Sequence, residues 1–225
     1  MQNSNERRSP NSEDDDARPE SASQQPKSRR GDQTRTRILD AAEEVFGRRG
    51  YHGASIVEIT RQAGVGLGTF YLYFPSKLDI FKHLLRSRQA EFIHETRRAA
   101  EGATDQREVI QSAFRAYFEW MSQRPNLLRM FREAEFVDPS LLAELYRAPA
   151  KAYKDRLVRA MEQGYVDTTL DPEVLAWCLM GMTEFCTLRW IVWPRDDDFD
   201  TSRYDAFVEI ISRALGVGTQ PSVTP

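Results

Sequence analysis

The stretch best equipped for chemistry is residues 55–74, SIVEITRQAGVGLGTFYLYF, with Lys77 close behind it. It gathers small and hydroxyl-bearing side chains: Ser55, Gly66, Gly68, Thr69, Tyr71 and Tyr73. Two chemistries use such a set. Gly64-x-Gly66-x-Gly68 behind the β-branched run SIVEIT resembles a strand feeding a nucleotide-binding glycine loop. That fingerprint needs glycine at position 69, where Thr69 stands, and an alternating strand-helix chain, which is absent. The other chemistry is groove reading by a helix-turn-helix. Ser55 stands three residues before Glu58, a capping box that opens a helix, and Gly64 turns the chain. The next helix starts with residues small enough for its backbone to approach a major groove about 12 Å wide. Tyr71 and Tyr73 fall on either side of the face set by Phe70 and Phe74, so their phenols are expected to be exposed and to donate to phosphate oxygens. Lys77 brings a charge to the start of the following helix, where backbone N–H groups suit an anion.

Nothing elsewhere points to catalysis. His52, His83 and His94 lack metal-ligand spacing, and no nucleophile elbow, phosphate loop or Cys/His cluster occurs. Cys178 and Cys186, eight positions apart on a helix, are separated by about 12 Å of rise. A disulfide tolerates no more than about 7 Å between α-carbons, so both are expected to be apolar fillers. No enzyme activity, cofactor or metal is expected.

The elements that must position the motif all read as helix. Ile38, Ala41, Ala42, Val45 and Phe46 recur at helical spacing, with Gly50 where a left-handed cap falls. Pro75-Ser76 starts a long helix through Phe81, Leu85 and Phe92. Asp138-Pro139 and Asp171-Pro172 each pair an N-cap with a proline in the first turn, and Pro149 should kink or restart its helix. The last helix spans roughly Ser202 to Leu215. The expected class is all-α, with about nine helices in two packed groups. Residues 1–31 contain no Phe, Trp, Tyr, Ile, Leu or Val and are expected to be a disordered polar tail. The division expected is a reader at 32–80, a second helical domain at 81–216 and a flexible end at 217–225.

With 225 residues, of which 40% are hydrophobic, the chain can build cores of ordinary size. Its net charge of −3 hides two unlike parts. Residues 27–77 hold nine basic and five acidic side chains, whereas residues 78–225 hold 19 and 23. The basic run Lys27 to Arg37, Arg35 included, is suited either to follow phosphates or to remain a solvated tail. The N-terminus lacks the apolar run of a signal peptide, so a cytoplasmic location is expected. Val174 to Trp193 is long enough to span a bilayer, but Glu184 and Arg189 inside it favour a helix packed in protein, with no membrane partner. Because that helix is apolar on nearly every side, one side must meet its own domain and another something else.

Residues 34–81 resemble the DNA-binding domain of TetR-family transcriptional regulators. The resemblance joins Ile38-Leu39, Ala41-Ala42, Phe46, Gly50-Tyr51, Ser55, Ile59, Ala63-Gly64-Val65, Gly68-Thr69, Tyr71, Tyr73-Phe74 and Lys77 at fixed offsets. It implies that Ser55, Thr69, Tyr71, Tyr73 and Lys77 contact phosphates or bases. It also implies a homodimer on a near-palindromic double-stranded operator, usually a repressor released by a small molecule. The family commonly has Ser at the place of Gly66 and a polar residue at Leu67, so base reading here is expected to lean on Thr69, Tyr71 and contacts with thymine methyls. The implied dimer face would include Gly181, Leu188, Trp190, Phe207, Ile210 and Ile211. An inducer pocket would draw on Phe92, Phe114, Tyr117, Phe118, Met121, Phe131, Tyr153, Trp177 and Met180, for an apolar ligand of aromatic or acyl character. Arg129, Arg132 and Arg189 are the cations available for an acidic group on it. The alternative is a helical ligand-binding or adaptor protein without operator-specific DNA binding.

Overall fold

A computed structural model describes residues 29–103, 105–193 and 202–216. Nearly all of the expected tail and all of 217–225 lie outside these residues, as do residues 194–201. Among the described residues there are nine α-helices and no strand. They are α1 Arg29–Gly53, α2 Ile56–Ala63, α3 Leu67–Tyr73, α4 Lys77–Ala99, α5 Gln106–Ser122, α6 Pro125–Val137, α7 Pro139–Glu162, α8 Pro172–Thr187 and α9 Ser202–Ala214.

Local signals explain most boundaries. Ser55 accepts a hydrogen bond from the Glu58 N–H at 3.1 Å, and Gly64 closes α2 in the left-handed conformation. Asp138 and Asp171 cap α7 and α8 ahead of their prolines. Two expectations are corrected. First, α1 already includes Arg29 to Gly31, so helix begins inside the segment assigned to the polar tail. Second, α7 runs on through Pro149. Proline has no N–H for the carbonyl of Leu145, and the Gln89 side chain of α4 donates to that oxygen instead.

Two hydrophobic clusters hold the helices together. One takes Phe46, Phe70, Phe81 and Leu84 from the N-terminal helices together with Leu127, Met130 and Leu141 from α6 and α7. The other joins α5, α7, α8 and α9 around Phe118, Leu179 and Phe207. The first cluster therefore crosses the boundary assigned between residues 80 and 81, which itself lies inside α4. A π-helical turn, Leu188–Val192, continues α8.

Candidate nucleic-acid interface and ligand cavity

Phe70 is buried and anchors α3 to the core, which turns Tyr71 and Leu72 outward at 49% and 67% exposure. Gly66 precedes α3 as its N-cap and Gly68 lies in its first turn. A Cβ built on either meets nothing within 4 Å, and neither has positive φ. Neither internal crowding nor backbone strain therefore calls for glycine here. What the two glycines leave open is a smooth surface on which another molecule's backbone can come close. Of the other expected contacts Ser55 is exposed and Thr69 half-buried, whereas Tyr73, expected to be exposed like Tyr71, is half-buried because it packs against the core. Leu67 is exposed, as its place in an apolar groove-reading surface requires, and exposed Val57 and Leu72 add apolar surface that the sequence reading passed over.

Two of the expected DNA contacts are engaged inside the chain. The Lys77 ammonium donates to the carbonyls of Tyr51 at 2.8 Å and Ala54 at 2.9 Å, and stands 4.6 Å from the centre of the Tyr51 ring. It closes the C-terminal end of α1, where a helix favours a cation, rather than presenting a free charge to an anion. Arg35 lies 5.6 Å from the centre of the Phe74 ring and donates to the His83 ring, which fixes α1 to α4 behind the recognition helix. Arg37 likewise caps α2 by donating to the Ala63 carbonyl at 2.6 Å. Part of the positive charge counted over residues 27–77 is thus spent on helix ends.

Burial, then Arg35 and Arg86, lower the His83 pKa below its ordinary value. The folded state therefore binds fewer protons than the unfolded state once pH falls below about 6.5. Its contribution is fully present above that pH and is lost as pH falls towards the folded value. Thermal unfolding should show the wild type losing stability between pH 7 and 5, with a smaller loss in His83→Gln.

The backbone of Tyr51 links three helices. Its N–H donates to Glu133 of α6 at 3.0 Å, while its carbonyl receives Lys77 of α4. Beside it Gly50, at φ 67°, has the conformation that favours glycine, and a Cβ there would lie 2.5 Å from the Glu133 carboxylate and push it off the Tyr51 N–H.

A cavity of about 130 Å³ lies among α4, α5, α6, α7 and α8. Phe92, Tyr117, Met121, Phe131, Tyr153 and Met180 line it as expected from the sequence, while three other expected residues do not. Phe114 and Phe118 are buried in the second cluster, edge-to-face with Phe207, and Trp177 is exposed on the outer face of α8. Sequence reasoning missed the polar side of the cavity. Arg88, half-buried there, is bound by Asp40, Glu43 and Glu91 at 2.6–2.9 Å. Tyr146 donates to Glu184 at 2.6 Å; burial and that carboxylate raise its pKa, so the phenol stays neutral. Of the suggested cations, Arg132 stands 3.7 Å from Glu184 and Arg129 donates to the Val192 carbonyl.

The expected dimer face is rearranged. Leu188, Phe207 and Ile211 are buried in the chain's own core, and Trp190 packs on Phe118 and Phe207. Ile210 is exposed and Gly181 is half-buried. The outward stripe of α8 is instead Val174, Trp177, Cys178, Gly181 and Phe185, the i, i+3, i+4, i+7 and i+11 series that helical periodicity would have identified. Cys178 is therefore on the surface, not a core filler. By length and composition Pro172–Val192 is able to cross a membrane, yet its Ala176, Leu179, Thr183 and Thr187 side is buried against the rest of the chain.

Residues 38–84 match the family described as bacterial regulatory proteins, tetR family. The HTH-type transcriptional regulator YdgC of Bacillus subtilis is 30% identical over 70% of this chain and 81% of its own length. The chain belongs to the TetR family. TetR-family members are DNA-binding transcriptional regulators rather than enzymes, and this chain is one of them. The HTH-type transcriptional activator FasR of Mycolicibacterium smegmatis is 31% identical over 55% of this chain and 57% of its own length. The fold is shared with the crystal structure of FadR from Bacillus subtilis in complex with stearoyl-CoA, at a TM-score of 0.70 and 22% identity over 79% of this chain and 97% of that one.

Proposed function

We propose that this TetR-family regulator is a cytoplasmic repressor that binds a near-palindromic operator as a homodimer and is released when an apolar acyl ligand enters the cavity. The observation that carries DNA reading is the open surface at Gly66 and Gly68, beside the exposed Tyr71 and Leu72. In this reading α3 enters the major groove, Ser55, Thr69, Tyr71 and Tyr73 contact phosphates or bases, and Arg35 and Lys77 hold the reader in shape. Two copies, joined through the α8 stripe and Ile210, set their recognition helices one groove repeat apart, about 34–36 Å. The reader spans 32–80 extended back to Arg29, and the ligand-binding and dimerisation part spans 81–216.

The ligand class follows from the cavity walls, which are mostly aromatic and aliphatic, and from the stearoyl-CoA bound to the B. subtilis relative. Small-molecule sites usually enclose about 300–1,000 Å³. At about 130 Å³ the cavity must widen to admit an acyl chain, which ties binding to movement of its walls. The test is a gel shift on DNA upstream of the chain's own gene. Retardation should weaken steeply with salt and be relieved by stearoyl-CoA. Salt-insensitive retardation, or none, would sink the DNA reading, and retention with saturating acyl-CoA would sink the ligand reading.

A further inference from the structure

The polar groups lining the cavity have, with few exceptions, already committed their hydrogens. The Thr183 hydroxyl donates to the Leu179 carbonyl at 2.6 Å, the Tyr117 and Thr187 hydroxyls are 2.9 Å apart, and Tyr146 donates to Glu184. Gln89 serves the carbonyl freed by Pro149, and Arg88 is surrounded by carboxylates. Trp120 differs. Its ring lines the cavity, the residue is only 7% exposed, and its Nε1 is buried with no hydrogen-bond partner, so the widening that admits a ligand must also uncover this N–H. Packing fixes the ring: Phe92 lies 5.8 Å away, and the Arg124 guanidinium lies 4.6 Å from the ring centre while paired with Glu91.

An indole N–H can only donate, and a buried tryptophan normally finds an acceptor. A water there would need two or more polar partners, and most of the neighbouring groups are already engaged. A ligand ammonium offers no acceptor. A carboxylate would meet Glu43, Glu91 and Glu184 nearby, with Arg88 and Arg124 already neutralised. The group that fits is a neutral carbonyl.

We propose that Trp120 Nε1 donates to the carbonyl oxygen of an acyl group held in an uncharged ester, thioester or amide linkage, whose chain occupies this cavity. The assignment rests on the acyl reading of the cavity given above. It makes Trp120 a specificity residue: the ligand must carry an acceptor at one point along an otherwise apolar body, because leaving the indole unpaired forfeits the hydrogen bond.

The test compares stearoyl-CoA with its thioether analogue, in which CH₂ replaces the carbonyl, by calorimetry on the full chain. The parent should prefer the thioester about tenfold, equivalent to about 1.4 kcal/mol, and Trp120→Phe should bind the two alike. In the ¹⁵N-labelled parent, the indole cross-peak that disappears in Trp120→Phe should move downfield with the thioester and not with the thioether, a change that mere packing would not produce. Equal binding of both ligands by the parent overturns the assignment and leaves the acyl reading standing. So does a preference that survives in Trp120→Phe but vanishes in Tyr153→Phe, one of the cavity's tyrosines. If neither ligand binds the parent, the assignment and the acyl reading fall together.

Discussion

Gly68→Glu is expected to fold at least as stably as the parent and to lose sequence-specific DNA binding by at least ~100-fold, about 3 kcal/mol. The two halves of this result have separate causes. In the isolated chain a new side chain at Gly68 meets no neighbour and the backbone is unstrained. Replacing glycine in a helix gains about 0.5–1 kcal/mol, and an acidic group in the first turn suits the helix dipole. On DNA the same carboxylate stands where the helix backbone must approach the groove, facing phosphates of like charge. Thermal unfolding and gel shifts read the two halves independently. A variant that retains operator DNA like the parent would show that another element enters the groove.

The paired substitution Phe185→Glu with Ile210→Glu is expected to yield a folded monomer with operator affinity reduced by at least ~100-fold, because each half-site then binds without the other. Both residues are exposed in the single chain, at 66% and 59%, so charging them leaves its interior intact. Sedimentation equilibrium gives the mass, and an unchanged dimer mass would refute the α8 face. Leu188→Glu makes the contrast. At 2% exposure it would place a charge in the core and lower the unfolding temperature instead of merely separating subunits.

The helices were legible because their signals are local. Ser55 with Glu58, Gly64, Asp138-Pro139 and Asp171-Pro172 each act within one turn, and each stands where helix ends occur. The recognition helix was legible too, since Phe70 and Phe74 settle which way Tyr71 points. Long-range engagements were not. Lys77 reaches back to carbonyls 23 and 26 residues earlier, and Gln89 answers a carbonyl 56 residues later. Residue type indicates that a lysine seeks acceptors or an anion, but only the fold says which it finds. The pocket residues divided for a similar reason. Phe114 and Phe118 share the helix face of Tyr117 and Met121 closely enough that periodicity cannot separate cavity wall from core. On α8 periodicity would have sufficed, because Val174, Trp177, Cys178, Gly181 and Phe185 share one stripe. The sequence analysis drew the dimer face from Gly181, Leu188 and Trp190 with Phe207, Ile210 and Ile211 of α9, of which Leu188, Phe207 and Ile211 are buried in the chain's own core.

The junction at Tyr51 bears on how the reader can move. The two peptide groups that flank the Tyr51 α-carbon are each gripped, one N–H by a carboxylate from α6 and one carbonyl by an ammonium from α4, with a glycine of positive φ beside them. Charge-assisted bonds of this kind are strong, short-ranged and directional. A reader attached this way cannot drift through a continuum of small tilts as it would on a slack linker. It either keeps both grips or gives one up, which predicts a few distinct orientations in place of a continuum.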